Sequence, residues 1–123
     1  MNFDAWRFYL RGLFFELIKQ PQDALEAYQS ALAARPGFTQ AERCLGYLHA
    51  ARHEYHEAEA CLDHVLQATP RDADTWFNLG FLRDQLGRKV DAIAAFERAV
   101  TLNPKLDRAW YGLGLAHAAQ GSR

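Results

Sequence analysis

Between Ala73 and Leu106 the apolar and small positions fall into two helical faces. Trp76, Leu79, Gly80 and Arg83 recur at three- and four-residue spacing, which puts them on one side of a helix. Gly87 interrupts the pattern, as a glycine just past a helix end does. Ala92, Phe96 and Ala99 mark a second face. Pro104 closes it, because proline has no N–H and excludes the preceding turn. The pattern predicts a helix–turn–helix hairpin of 34 residues.

The same unit fills nearly the whole chain. Gly12, Gly46, Gly80 and Gly114 lie 34 residues apart, and so do Pro36, Pro70 and Pro104, and Ala24, Ala58 and Ala92. A fixed period of this size predicts a solenoid of stacked helical pairs. Units are expected at about 5–38, 39–72 and 73–106, with a partial unit at 107–123, in a single domain spanning 1–123. Gly80 and Ala92 should let two helices cross closely, with Trp76 and Phe96 filling the space beside them. Thr39 three residues before Glu42 reads as a capping box, and Asp72 and Asp107 read as caps of the third and fourth units. Pro21 suits the first turn of a helix.

These residues resemble the tetratricopeptide repeat, whose pattern is W-x2-L-G-x2-Y, then A-x3-F, then P. The third unit supplies Trp76, Leu79, Gly80, Ala92, Phe96, Ala99 and Pro104, with Arg83 in place of tyrosine. The first supplies Phe8, Gly12, Phe15, Ala24, Tyr28, Ala31 and Pro36, with Arg11 in place of leucine. The second keeps Leu45, Gly46, Ala58 and Pro70, with Glu42 for tryptophan and Leu62 for phenylalanine. The fourth begins with Trp110, Leu113 and Gly114. The resemblance implies an all-α fold: a right-handed superhelix of three helical hairpins plus a C-terminal single helix.

It also implies a function, a non-catalytic module that holds a peptide or protein segment on the concave surface lined by first helices. The family's groove positions fall on Tyr9, Leu13, Arg43, Tyr47, Phe77, Asn78, Phe81, Arg108 and Tyr111, with Trp6, Leu10, Gln40, Cys44, Asp74, Gly112 and Leu115 beside them. Aromatic and arginine side chains dominate many interfaces, so the expected partner has apolar anchors and an acidic group. One branch of the family clamps the carboxylate tail of heat-shock chaperones. Its lysine and asparagine positions fall here on Tyr9, Leu13, Cys44, Asp74 and Asn78, or on Arg43, Tyr47, Asn78, Arg108 and Gly112, and no such clamp is expected. A small secretion-type chaperone, or a regulatory domain cut from a longer protein or enzyme, are alternative expectations.

Composition narrows the classes. Half of the 123 residues are apolar and the net charge is −1, so neither nucleic acid nor an anionic membrane is an expected partner. Cys44 and Cys61 both fall in predicted helices, which fits a reducing, cytoplasmic setting. Asp4, Arg7, Arg11 and Glu16 break the apolar N-terminus, so it reads as neither a leader nor a membrane span. His49, His53 and His56, with Glu54, Glu57, Cys61 and His64 nearby, have spacings that could suit a metal, but surface and packing roles are the expectation. No nucleophile elbow, phosphate loop or metalloprotease motif is present, and no enzyme activity, metal or cofactor is expected.

The two ends look unfinished. The first helix carries Phe3, Trp6, Phe8, Tyr9, Leu10, Leu13, Phe14, Phe15, Leu17 and Ile18, apolar nearly all round, which argues for burial. Neither end shows the polar cap that a solenoid needs. Self-association as a homodimer through Phe3, Trp6, Leu10 and Leu17 is expected, with curling of Trp6 and Leu10 into the groove as the alternative.

Overall fold

The computed structural model describes residues 3–121. They form seven helices: α1 (Phe3–Leu17), α2 (Pro21–Ala34), α3 (Thr39–Ala51), α4 (Tyr55–Ala68), α5 (Ala73–Gln85), α6 (Lys89–Leu102) and α7 (Asp107–Ala119). Each hairpin, α1–α2, α3–α4 and α5–α6, packs most heavily within itself. The second helix of each then leans on the first helix of the next, and α5 also touches both α3 and α7.

Glycine sets the crossing inside each hairpin. A Cβ placed on Gly12 would lie 2.4 Å from the Tyr28 ring, one on Gly46 2.8 Å from Leu62, and one on Gly80 2.7 Å from the Phe96 ring. The ring or leucine of the second helix therefore rests directly on the backbone of the first. Tyr28 sits fully buried on Gly12, and its hydroxyl has no hydrogen-bond partner among the described residues. Burial, with Cys44 and Glu16 close by, pushes its ionisation well above the ordinary tyrosine range. Gly114 repeats the position with nothing against it, because no second helix follows α7 among the described residues.

The hairpin turns share one backbone device. Lys19, His53, Gly87 and Gly121 all have left-handed φ, at 60°, 62°, 79° and 73°, one period apart. Sequence reading finds Gly87 because glycine adopts this conformation freely, and passes over lysine and histidine, which do so at a cost. A second device ties helix starts to the preceding turn. The Trp76 and Trp110 indole N–H groups donate to the carbonyls of Pro70 and Pro104, each at 2.8 Å.

Two of the expected caps are corrected. Asp72 does cap α5, its carboxylate accepting from the Thr75 N–H at 3.3 Å and the Thr75 hydroxyl at 2.7 Å. Thr39 instead is the first residue of α3, its hydroxyl donating back to the Gly37 carbonyl, so no capping box forms. Glu42 pairs with His64 of α4. Asp107 lies one position inside α7, with Leu106 at the cap. The period explains the miss: Asp107 corresponds to Ala73, not to Asp72.

Arg83 departs from the family's tyrosine for a reason in the neighbouring repeat. Its Nε donates to Glu59 at 3.4 Å, while Arg88 donates to the same carboxylate at 2.8 Å. Glu59 stands where the other units have Leu25 and Ile93, so an ion pair replaces an apolar contact between α4 and α5. Burial raises the Glu59 carboxyl, but the Arg88 and Arg83 hydrogen bonds outweigh it and hold the group below its ordinary range.

Apolar burial is divided along the stack. One cluster joins α1, α2 and α3 around Tyr28, Phe38 and Leu45. A second gathers Ala58, Leu62, Leu66, Leu79 and Leu82. Others hold α6 to α7 through Phe96 with Ala116 and Val100 with Ala109.

Two outcomes follow for stability. In thermal melts Gly80→Ala should lose about 1–3 kcal/mol by overpacking Phe96, whereas Gly114→Ala should gain up to ~1 kcal/mol from helix propensity alone. Glu59→Leu should cost about 1–3 kcal/mol in urea titrations by taking the nearest carboxylate from Arg83, which keeps only Asp63 at 3.9 Å and the Asp91 carbonyl at 3.3 Å, and adding Arg83→Tyr should recover most of it. The Glu59 contribution is complete above the ordinary carboxylate range and fades as pH falls through its lowered folded-state value, so Glu59→Gln should flatten the acid limb of the stability profile.

Candidate functional site

The first helices α3, α5 and α7 line two adjoining hollows. One is a cleft of about 680 Å³ bounded by Arg43, Tyr47, Asp72, Asp74, Asn78 and Arg108. Its donors are already engaged inside the protein. Arg43 Nε donates to Asp72 at 3.0 Å, and the Tyr47 hydroxyl lies 3.4 Å from that of Thr75, which donates to the same carboxylate. Burial above all raises the Tyr47 ionisation, with Asp72 and Asp74 adding to it. Arg108 donates to Asp74 at 2.7 Å and lies over the Phe77 ring, 4.9 Å from its centre. The Asn78 amide donates to the Asp74 carbonyl at 2.8 Å.

The cleft therefore balances two arginines with two aspartates rather than presenting a basic patch. The two pairs are unequal. Arg43–Asp72 is mostly buried and tied to the α5 cap, while Arg108–Asp74 is more than half exposed, at 57% and 59%. An exposed pair is worth at most about 1 kcal/mol, so an incoming carboxylate can take Arg108 far more easily than Arg43.

The second hollow, about 470 Å³, is aromatic and shares Arg108 with the first. Phe77, Phe81, Phe96, Tyr111 and Leu115 form its walls, with Asp84 and Lys89 at the rim. Phe81 and Tyr111 are exposed, whereas Phe77 is half-buried and packs on Phe96 with ring centres 5.8 Å apart. Phe96 is absent from the sequence-derived groove set because its period places it inside the hairpin. It is buried, yet its ring lines the hollow beside Gly112, where a Cβ would come within 3.0 Å of it. The signal was the small residue at that groove position.

Towards α1 the groove changes character. Tyr9 is half-buried, its ring 5.3 Å from Phe38 and 6.2 Å from Tyr28, so it covers the core more than it offers a contact. Leu13 is exposed, and Tyr47 also borders a shallow hollow with Glu16, Lys19, Pro21, Leu48 and Ala51. Trp6 lies on Phe38, ring centres 4.9 Å apart. Phe3, Leu10 and Leu17 are exposed, so the all-round apolar α1 is not enclosed as expected.

The histidines go to separate partners. His49 lies 2.8 Å from Glu54, His53 2.6 Å from the Tyr55 hydroxyl, and His64 pairs with Glu42. Among the described residues no three histidine, cysteine or carboxylate side chains converge as metal ligands. Cys44 and Cys61 are free and partly buried. Burial raises both thiols, and with Glu42 it pushes Cys61 to about 11. No described helix is long and apolar enough to cross a membrane.

Stacked hairpins whose first helices line a shared concave surface define an α-helical repeat solenoid built for protein–protein interaction. The chain belongs to the tetratricopeptide repeat family, whose model matches residues 45–113. It is 34% identical over 73 residues to the peroxisomal targeting signal receptor of Candida glabrata, covering 59% of this chain and 12% of that one. It is 28% identical over 90 residues to anaphase-promoting complex subunit 3 of Schizosaccharomyces pombe, covering 73% of this chain and 14% of that one. The chain thus spans a small part of the curated relatives it matches. The crystal structure of MamA superposes with a TM-score of 0.93 at 25% identity, over 98% of this chain and 70% of that one. The first such domain of Spaghetti (RPAP3), bound to the HSP90 peptide SRMEEVD, superposes at 0.92 and 16% identity over 99% and 97%.

Asp72→Ala removes a helix cap and the partner of Arg43 together. It should cost about 1–3 kcal/mol in urea denaturation, whereas Asp74→Ala should cost under ~1 kcal/mol.

Proposed function

We propose that the concave face holds an extended protein segment without catalysing a reaction on it. The carrying observation is the continuity of the two hollows through Arg108. Apolar side chains of the partner seat between Phe81, Tyr111 and Leu115, on a floor of Phe77 and Phe96. A neighbouring acidic group displaces Asp74 from Arg108. Arg43, Asn78, Tyr47, Tyr9 and Leu13 shape the rest of the path, with Arg43 held by Asp72 as a fixed wall.

The charge balance of the cleft supports a partner chosen mainly by its apolar residues. The RPAP3 domain is a fold likeness only, and its peptide SRMEEVD carries three acidic residues. In this chain the cleft carries Asp72 and Asp74 beside its arginines, which leaves little net positive charge for a strongly acidic segment. Cys44 and Cys61, both free and set within helices, support a reducing, cytoplasmic setting.

Selection from a random peptide library tests the reading. Wild type should enrich peptides that pair aromatic or leucine anchors with an acidic residue. Phe81→Ala/Tyr111→Ala should lower their affinity at least ~10-fold at unchanged helicity, the scale of losing interface anchors. Equal binding by that variant would overturn the proposal.

A further inference from the structure

α1 has a second apolar face, away from the proposed anchor site of Phe81 and Tyr111; Trp6 at its edge also packs on Phe38 of the core, and Leu13 also borders the proposed path. Phe3, Trp6, Leu10, Leu13 and Leu17 follow one another at three, four, three and four residues, with Phe14 alongside. This alternation is the narrow seam by which one helix packs along another. All six side chains are exposed, Phe3 at 72% and Leu17 at 79%. The core-facing side of the same helix is a different set, with Ala5 and Gly12 buried.

The seam does not have the chemistry of a stacking face for a further repeat. Later units bury Ala41, Thr75 and Ala109 at the position of Arg7, and Leu45 and Leu79 at the position of Arg11. A repeat stacked on α1 would enclose both guanidinium groups. The end expected to lack a polar cap thus carries charge at these two stacking positions, and the seam lies beside them.

Its spacing is nearly palindromic about Leu10. Run antiparallel against its own copy, Phe3 meets Leu17, Trp6 meets Leu13 and Phe14, and Leu10 meets Leu10. Such self-complementarity is what an isologous two-fold contact requires. With large side chains burying roughly 150–250 Å² each, the exposed fractions amount to on the order of 600 Å² per protomer, at the upper end for a lone patch on a monomer. Doubled across a two-fold axis this reaches about 1,200 Å², the size of a specific interface.

We infer that the seam is a homodimer interface in which α1 pairs antiparallel with α1 of a second copy, around Leu10. Sedimentation equilibrium up to ~100 µM tests it, since association is concentration-dependent. Wild type should reach twice its 14.0 kDa mass. Leu10→Glu and Leu17→Glu should each return the mass to that of one chain at unchanged helicity, because both residues are exposed. The groove variant Phe81→Ala/Tyr111→Ala should still dimerise, which separates this inference from the proposed segment binding. A wild-type monomer at the highest concentration would overturn it. So would a Leu10→Glu variant that still dimerises, or a monomer that binds vesicles of neutral and anionic lipid through this face.

Discussion

Inside every hairpin a side chain of the second helix rests on bare glycine backbone of the first. Tyr28 on Gly12, Leu62 on Gly46 and Phe96 on Gly80 each occupy the space a Cβ would need. This brings the helices of a hairpin together at one height in every unit, and the angle so set is repeated rather than negotiated anew. The alignment of α3, α5 and α7, and hence the concave surface, descends from it. Unequal side chains at the three positions, two rings and a leucine, are tolerated because the glycine side is always empty.

On that scaffold the chain spends its departures from the repeat pattern at the joints between units. Glu59 and Arg83 exchange an apolar contact for an ion pair, and Arg88 shares the same carboxylate. Asp72 serves three groups at once, capping α5, accepting from Thr75 and holding Arg43. These contacts lock neighbouring units together while leaving the aromatic wall at Phe81 and Tyr111 exposed. Rigidity beneath and apolar surface above is the division of labour a binding groove requires, because ordering its own side chains would subtract from affinity.

The periodic glycines, alanines and prolines made the fold legible, because each has a steric reason tied to a repeated crossing or turn. Of the proposed site, the apolar half could be read as surface: Phe81 and Tyr111, expected at groove positions, are exposed and line the aromatic hollow. Its polar half could not, since a sequence names Arg43 and Arg108 without showing that Asp72 and Asp74 neutralise them. Tyr9 and Phe77 turned largely inward for a related reason: a half-buried aromatic satisfies both core and surface patterns. The capping errors at Thr39 and Asp107 came from residue types taken without their register, which the 34-residue period itself supplied.

The apolar interior is not one body but a series of clusters, each joining neighbouring helices. Order in such a molecule is maintained by nearest-neighbour coupling, as in a row of dominoes leaning on one another. A segment seated in the aromatic hollow, between α5 and α7, would touch two such neighbours at once and bind them more tightly to each other, so amide exchange in both helices would slow together.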